Sequence, residues 1–351
     1  MESSVASIFS SQFWSNLFNS DLAIDLGTAS TLIHTKQAGR IVIYEPSIVA
    51  VNTLTHEVEA VGDEAKQLLG RAPQGVRTIR PMKDGMIFEV DAAERMLAAF
   101  ILKARPNRGI ARTRIVVSVP PRAHQVARRA VKQVCYDAKA GEVFLVDQTM
   151  VAAIGAGLAI NEKRGCMIVD IGGGTTDVAV ISYNGKVFSD SILIAGDEMD
   201  EAVIKYIREK YNVLISEASA EEVKWTLGSA FPSELTRTME VSGRDQFEGL
   251  PKTLTLNDAE IREALAEPIN SIIDLVRKAL NETPPQLAAD LIDRGICLTG
   301  GGSLIQGLDE RLRKETHLPV FRAEDPQTAV VRGTAMLLEN IPLLRRIQIL
   351  D

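Results

Sequence analysis

Short apolar runs of strand length alternate along the chain with longer amphipathic stretches. Apolar residues at i, i+3 and i+4 spacing predict helices over 92–103 and 124–138, and a stretch with acids first and bases last predicts another over 200–210. Runs rich in β-branched residues predict strands over 114–119 and 142–146. This alternation predicts an α/β fold rather than separate all-α and all-β domains.

An internal near-repeat divides the chain. Residues 24–31 read IDLGTAST, and residues 169–176 read VDIGGGTT. Both copies follow an apolar run and lead into β-branched sequence, so each predicts two strands joined by a Gly-rich turn. The repetition predicts a pseudo-symmetric molecule of two lobes with a cleft between them. Farther on, Pro284 and Pro285 mark a loop before a predicted helix over 286–294 and a predicted strand over 295–298.

Length and composition agree with two lobes and narrow the class of protein. The 351 residues exceed the roughly 100 to 200 residues of an ordinary domain. A net charge of −7 argues against broad nucleic-acid binding, which needs a basic face. The cysteines Cys135, Cys166 and Cys297 lie far apart in apolar runs, which predicts buried, reduced thiols in a cytosolic protein. No apolar run reaches the roughly 18 residues of a membrane span, and we expect neither secretion nor a transmembrane helix.

The two Gly-rich turns are candidate phosphate sites. Glycine allows close approach of the backbone, and the neighbouring amides and hydroxyls can bind phosphate oxygens. A carboxylate at the end of each first strand, Asp25 and Asp170, suits a divalent cation such as Mg²⁺. One copy alone could be a turn Asp beside a structural Gly, but two copies favour a paired phosphate clamp with one shared metal. The turn residues are Gly27, Thr28, Ala29 and Ser30 in the first copy and Gly172, Gly173, Gly174 and Thr175 in the second.

Two further motifs could hold the rest of a nucleotide. A third glycine run follows an apolar strand and could place adenosine or an α-phosphate against helix amides, although such turns also use Gly for packing. Glu221 and Lys224 share a helix face and could bind ribose hydroxyls, although a solvated ion pair has the same spacing. The third run consists of Gly300, Gly301, Gly302 and Ser303.

The order of these motifs resembles the superfamily of actin, sugar kinases and heat-shock-70 ATPases. Within it, residues 79–85 (IRPMKDG), 153–157 (AIGAG), 196–201 (GDEMDE) and 294–302 (RGICLTGGG) resemble the MreB family of bacterial actins from about residue 21 to the end. The resemblance implies a duplicated, ribonuclease H-like actin fold with ATP or ADP and Mg²⁺ in the cleft. It adds Gly196 and Asp197 to the nucleotide site.

The same resemblance implies four subdomains and a filament. The expected divisions are 21–48 with 82–161 and 331–351 (subdomain IA), 49–81 (IB), 162–198 with 262–330 (IIA), and 199–261 (IIB). Family members polymerise into paired protofilaments on the inner membrane face and guide cell-wall synthesis and rod shape. The implied partners are therefore further copies of the chain, the membrane lipid surface and a membrane-spanning cell-wall elongation adaptor, and the implied location is cytoplasmic and peripheral to the membrane.

One departure from the family pattern concerns hydrolysis. Where the family commonly reads Glu-Glu-Pro-Met-Ala-Ala-Ala, residues 147–153 read DQTMVAA. The residue expected to position the attacking water is therefore Gln148, with Thr175 as the second such group. A Gln can orient water but cannot take its proton, although eukaryotic actin also uses Gln there. The resemblance thus implies slow ATP hydrolysis that times the filament, and a scaffold without meaningful hydrolysis is the alternative.

The N-terminal segment predicts a membrane contact. Residues 5–18 (VASIFSSQFWSNLF) have an interfacial helix pattern with an apolar face and serines opposite. A tail that is disordered or packed on the protein is the alternative, because the polar face lacks Lys and Arg. The basic stretch 103–112 could touch anionic lipid or be a solvated loop. The proposed membrane-contacting residues are Phe9, Phe13, Trp14, Leu17 and Phe18.

A small-molecule kinase of the same superfamily is the competing class of function. Such an enzyme needs an acceptor pocket and a catalytic Asp near the γ-phosphate. The sequence offers no dedicated candidate for that base beyond Asp177. We therefore expect a filament-forming ATP-binding protein.

Overall fold

The computed structural model describes residues 21–105, 113–121, 123–232 and 235–349. The predicted amphipathic segment 5–18 lies outside the described residues, as does most of the basic stretch 103–112. Among the described residues, none of the helices has both the length and the apolar character that crossing a membrane requires.

The strands of the described residues are numbered in chain order. They are β1 Leu22–Leu26, β2 Ser30–Thr35, β3 Arg40–Pro46, β4 Val49–Asn52, β5 Val58–Val61, β6 Val76–Ile79, β7 Met82–Lys83, β8 Met86–Ile87, β9 Thr113–Val119, β10 Ala140–Asp147, β11 Cys166–Ile171, β12 Thr176–Ser182, β13 Gly185–Ile192, β14 Val213–Leu214, β15 Thr238–Asp245, β16 Pro251–Asn257, β17 Ile296–Thr299 and β18 Val320–Arg322.

The helices of the same residues are numbered likewise, and a short 3₁₀ turn covers Gly301–Leu304. They are α1 Asp63–Gln67, α2 Val90–Ala104, α3 Gln125–Asp137, α4 Gln148–Gly155, α5 Gly196–Tyr211, α6 Glu217–Leu227, α7 Asp258–Ala264, α8 Ala266–Glu282, α9 Pro285–Arg294, α10 Leu308–Thr316, α11 Ala329–Glu339 and α12 Ile341–Ile347.

The chain forms two compact units. Unit 1 consists of the chain up to Leu158 together with the segment from Thr328 onward, and unit 2 is Ala159–Gln327. Unit 1 contains a five-stranded sheet in the order β10-β9-β1-β2-β3, and unit 2 contains one in the order β13-β12-β11-β17-β18. In each sheet the central strand, β1 or β11, pairs antiparallel with the next strand in the chain and parallel with a later one. The two sheets therefore share one topology, which confirms the duplication predicted from the near-repeat.

Both central strands are buried along their whole length, as expected for apolar runs flanked by strands on both sides. Helices complete each core. In unit 1, α2, α3 and α11 pack against the sheet or one another, and in unit 2, α8 and α9 pack against β11 to β13. Each unit has its own cluster of buried apolar side chains.

Each unit also carries a small sheet. Strands β5-β4-β6 lie within residues 49–81, and β14-β15-β16 lie within 199–261, the ranges expected for subdomains IB and IIB. The four-subdomain boundaries themselves stay a prediction.

Most predicted elements are confirmed with slightly different ends. The predicted helices correspond to α2, α3, α5 and α9, and the predicted strands to β9, β10 and β17. Helix α5 begins earlier than predicted, at Gly196, so the acidic start of the helix extends back to Asp197 and Glu198.

The cysteines are buried thiols, as predicted. Burial raises the pKa of Cys135 to about 12, of Cys166 to about 11 and of Cys297 to about 12. Such thiols stay protonated and unreactive near neutral pH, so they act as small apolar side chains.

Helices α4 and α11 touch through their backbones. A Cβ atom on Gly155 would lie 1.8 Å from the Ala329 carbonyl oxygen, and one on Gly333 would lie 1.9 Å from the Val151 carbonyl oxygen. Only glycine permits this approach at both positions. The contact fixes α4, whose first residue is Gln148, against a helix from the far end of the chain.

Candidate functional site

The Gly-rich turn of unit 1 joins β1 to β2. The Gly27 N–H donates to the Ser30 carbonyl oxygen at 3.1 Å. A Cβ on Gly27 would lie only 2.7 Å from that same oxygen, so the turn requires glycine here. The turn therefore keeps Thr28 and Ala29 at its tip.

Hydroxyl groups support this turn from outside. The Ser47 hydroxyl donates to the Gly27 carbonyl oxygen at 2.7 Å and lies 2.9 Å from the Thr31 hydroxyl. On the other side, the Gly85 N–H donates to the Thr28 hydroxyl oxygen at 3.1 Å. Gly85 belongs to the IRPMKDG stretch, so this stretch helps to hold the turn in place.

The turn of unit 2 repeats the backbone pattern, with Gly172 N–H donating to the Thr175 carbonyl oxygen at 2.9 Å. Its support comes from the start of α5. The Gly196 N–H donates to the Gly172 carbonyl oxygen at 3.2 Å, and the Asp197 N–H donates to the Gly173 carbonyl oxygen at 2.7 Å. The structure therefore brings Gly196 and Asp197 to the turn by backbone contact.

The two carboxylates predicted for metal binding occupy equivalent places in the repeat, one residue before the end of the first strand. Asp25 accepts a hydrogen bond from the Ser118 hydroxyl at 2.9 Å, and Asp170 accepts one from the Thr299 hydroxyl at 3.0 Å. Asp25 is 7% and Asp170 2% exposed. Each hydroxyl lies on the parallel neighbour strand, so the sheet itself orients the carboxylate.

Two glycines of the third run are closely packed, and one has space beside it. Gly300 has φ of 79°, and a Cβ there would lie 2.2 Å from the Ile171 carbonyl oxygen; one on Gly302 would lie 2.4 Å from Ile171 Cγ2. These two glycines let the run pack on the end of β11. A Cβ on Gly301, by contrast, would meet nothing closer than 3.6 Å. The buried Ser303 hydroxyl donates to the Gly300 carbonyl oxygen at 2.7 Å, so it closes the turn.

Lys224 is buried and its ammonium group has two partners in unit 2. It donates to the Gly196 carbonyl oxygen at 2.9 Å and to Asp200 Oδ2 at 2.8 Å. Sequence reasoning missed Asp200, although it lies in the GDEMDE stretch quoted for the family. Burial raises the pKa of Asp200 to about 6, against the opposite effect of the nearby Lys224 charge. The ion pair ties α6 to the start of α5 and so to the Gly172 turn.

The candidate water-positioning residues lie at the start of a capped helix and in the turn of unit 2. Gln148 is the first residue of α4, and the Asp147 carboxylate caps that helix by accepting from the Met150 N–H at 3.2 Å and the Thr149 hydroxyl at 2.6 Å. In the other unit, the buried Thr175 hydroxyl donates to Asp177 Oδ2 at 2.8 Å. The Thr175 oxygen can still accept a hydrogen bond, because a hydroxyl has two lone pairs.

Comparison with known proteins identifies the family of this chain. The family model described as MreB/Mbl protein matches residues 19–346. Cell shape-determining protein MreB of Escherichia coli (strain K12) is 50% identical over 332 residues, which cover 93% of this chain and 95% of that protein. The chain belongs to the MreB/Mbl family.

Solved structures confirm the actin-like fold. Spiroplasma citri MreB5 bound to AMPPNP has a TM-score of 0.87 and 35% identity, covering 92% of this chain and 96% of that one. A MamK double helical filament has a TM-score of 0.77 at 23% identity, covering 92% and 99%. The MamK likeness is a likeness of fold alone. The MreB family and the α/β fold predicted from the sequence motifs are thus confirmed.

Proposed function

We propose that this MreB/Mbl chain binds ATP and ADP with Mg²⁺ and assembles into filaments on the inner face of the cytoplasmic membrane. These filaments organise cell-wall synthesis and rod shape. The observation that carries the proposal is the duplicated Gly-rich turn in a chain of this family, because such backbone turns bind phosphate oxygens. MreB5 of Spiroplasma citri, a relative with 35% identity, has been solved with AMPPNP and with ADP.

The nucleotide contacts proposed for this chain follow the predicted motifs. The backbone amides of residues 27–30 and 172–175 would bind phosphate oxygens, and the run at 300–303 with Gly196, Asp197 and Glu221 would hold the nucleoside. Lys224 would act here through its bonds to Gly196 and Asp200, which fix the start of α5. That role differs from the direct ribose contact expected from the Glu221 spacing.

The carboxylates suit a cation that is bound together with phosphate. No group of three or more His, Cys, Asp or Glu residues able to hold a metal occurs in the described part of the chain. Mg²⁺ commonly keeps several waters and uses one or two carboxylates plus substrate phosphates. Asp25 and Asp170, each oriented by a hydroxyl, fit that smaller requirement. When bound, Mg²⁺ neutralises charge on the phosphates.

We propose that the chain hydrolyses ATP slowly, with Gln148 and Thr175 as the residues that position the attacking water. Gln148 can orient a water molecule but cannot remove its proton, and general-base catalysis contributes roughly 10²- to 10⁴-fold to rate. The Gln148→Glu variant should therefore release phosphate at least ~10-fold faster in a single turnover.

The matched control is Gln67→Glu, which makes the same charge change at an exposed position on α1. Gln67→Glu should leave the rate unchanged. Equal phosphate release from wild type and Gln148→Glu would contradict the role given to Gln148.

Assembly and membrane binding are tested together by pelleting and negative-stain imaging with ATP, ADP or no nucleotide, with and without liposomes. Nucleotide-dependent filaments on lipid are expected. Deleting residues 1–18 should abolish sedimentation with liposomes and leave filaments in solution. A monomer that hydrolyses ATP only when a small acceptor is added would favour the kinase class instead.

A further inference from the structure

Trp225 lies on α6 directly beside the third glycine run. Trp225 is 46% exposed, although tryptophan is a large, mainly apolar residue that is usually well buried. The indole edge atom Cη2 lies 4.0 Å from the place that a Cβ on Gly301 would occupy. The exposed indole therefore borders the one open glycine of the run.

A fixed cation lies near the indole. The Lys224 ammonium lies 5.9 Å from the centre of the Trp225 ring, within the range of a cation–π attraction. That ammonium is anchored by Gly196 and Asp200. The ring thus lies within reach of an ammonium group that a buried ion pair fixes.

Two side-chain groups border Gly301. Gly301 itself has no side chain, and besides Trp225 the neighbouring group is the Gln327 amide, whose Nε2 lies 3.6 Å from the same Cβ position. Gly300, tied by its N–H to the Pro326 carbonyl oxygen at 2.8 Å, keeps the Gln327 segment in place. A flat aromatic face, a bare backbone and an amide suit a flat, polar-edged heteroaromatic ring better than a sugar or a phosphate.

We propose that Trp225 is a platform on which the purine base of the nucleotide stacks, a specificity determinant for nucleosides over bare phosphates. This inference rests on the proposed nucleotide binding and adds the residue that recognises the base. Stacking of a base on an aromatic side chain contributes roughly 1 to 3 kcal/mol in proteins that bind single-stranded nucleic acids. Removing the ring should then weaken ATP binding about 10-fold or more.

Calorimetric titration with Mg²⁺ separates base binding from phosphate binding. Trp225→Ala should raise the Kd for ATP about tenfold and leave the Kd for inorganic tripolyphosphate unchanged. Trp225→Phe, which keeps an aromatic face, should lose only about two- to threefold. The control Phe247→Ala removes another exposed aromatic of unit 2, on the turn after β15, and should bind both ligands as wild type does.

Fluorescence supplies an independent measurement, because the chain has only two tryptophans. In a Trp14→Phe background, all tryptophan emission comes from Trp225. ATP should change that emission and tripolyphosphate should not.

The outcomes distinguish this inference from the proposed function beneath it. Unchanged ATP affinity in Trp225→Ala together with silent fluorescence would overturn the inference and leave ATP binding intact. An equal loss of ATP and tripolyphosphate affinity would also overturn it, because Trp225 would then support the turns rather than the base. If the wild type binds no nucleotide at all, the proposed function itself fails.

Discussion

The two Gly-rich turns share one backbone hydrogen-bond pattern but are supported by different groups. In unit 1 the turn is held by the hydroxyls of Ser47 and Thr28, groups that do not ionise at ordinary pH. In unit 2 the turn is held by the backbone of α5, which in turn accepts a hydrogen bond from the buried Lys224 ammonium. A duplicated fold has thus kept the backbone geometry of the turn while the means of fixing it has diverged.

This difference predicts how strongly substitutions near each turn should affect the protein. Each hydroxyl bond contributes a modest amount of free energy, whereas a buried ion pair is costly to disturb because the remaining charge is left without its partner. Unit 2 should therefore respond more strongly than unit 1 to small changes near its turn.

The largest expected effect comes from Gly300→Ala. The new Cβ would meet the Ile171 carbonyl oxygen at 2.2 Å, and the backbone has φ of 79°. We expect the free energy of unfolding to fall by about 3 kcal/mol, measured by urea denaturation. Gly301→Ala, where the nearest atom is 3.6 Å away, is the control and should cost far less. Equal losses in the two variants would show that the third run is not packed as described.

The next effect is a pH dependence confined to unit 2. The pKa of Asp200 is raised from 3.8 to about 6 in the folded state, so its contribution to stability is present below about pH 4 and is lost as the pH rises through 6. The charged groups that face it are Lys224, Glu221 and Asp197.

Asp200→Asn removes this titration and should flatten the curve of unfolding free energy against pH between 4 and 6.5 relative to wild type. The expected difference is about 1 to 2 kcal/mol, allowing for the 16% exposure of the carboxylate. Parallel curves for the two proteins would rule out a titrating Asp200.

The smallest effect is expected in unit 1. Ser47→Ala removes the bond to the Gly27 carbonyl oxygen and should lower the free energy of unfolding by about 1 kcal/mol. This loss should not vary with pH from 4 to 6.5, because no ionisable group is removed. Ser242→Ala, which breaks an exposed hydroxyl pair with Thr253, is the control and should have almost no effect. A Ser47→Ala loss as large as that of Gly300→Ala would contradict the contrast between the turns.

Local sequence patterns predicted much of the fold. The Asp-x-Gly near-repeat predicted both hairpins, because an apolar run, a Gly-rich turn and β-branched residues are short-range signals of strand, turn and strand.

The supports of the site could not be predicted, because they join residues distant in the chain. Ser47 bonds to Gly27 across 20 positions, Thr299 to Asp170 across 129, and Lys224 to Asp200 across 24. A single sequence contains no sign of such pairs. The roles given to individual site residues stay predictions that the experiments above address.

The contact between Gly155 and Gly333 bears on the order in which the chain folds as it is synthesised. Unit 2 has all its residues once Gln327 has been made, but the core of unit 1 still lacks α11, which packs on α4, β1 and β9. The first half of the protein to leave the ribosome is therefore the last half able to finish folding. A chain that stops before Thr328 would lack α11, so β1, with its Asp25 and Gly27 turn, would be left without the helix that packs on it.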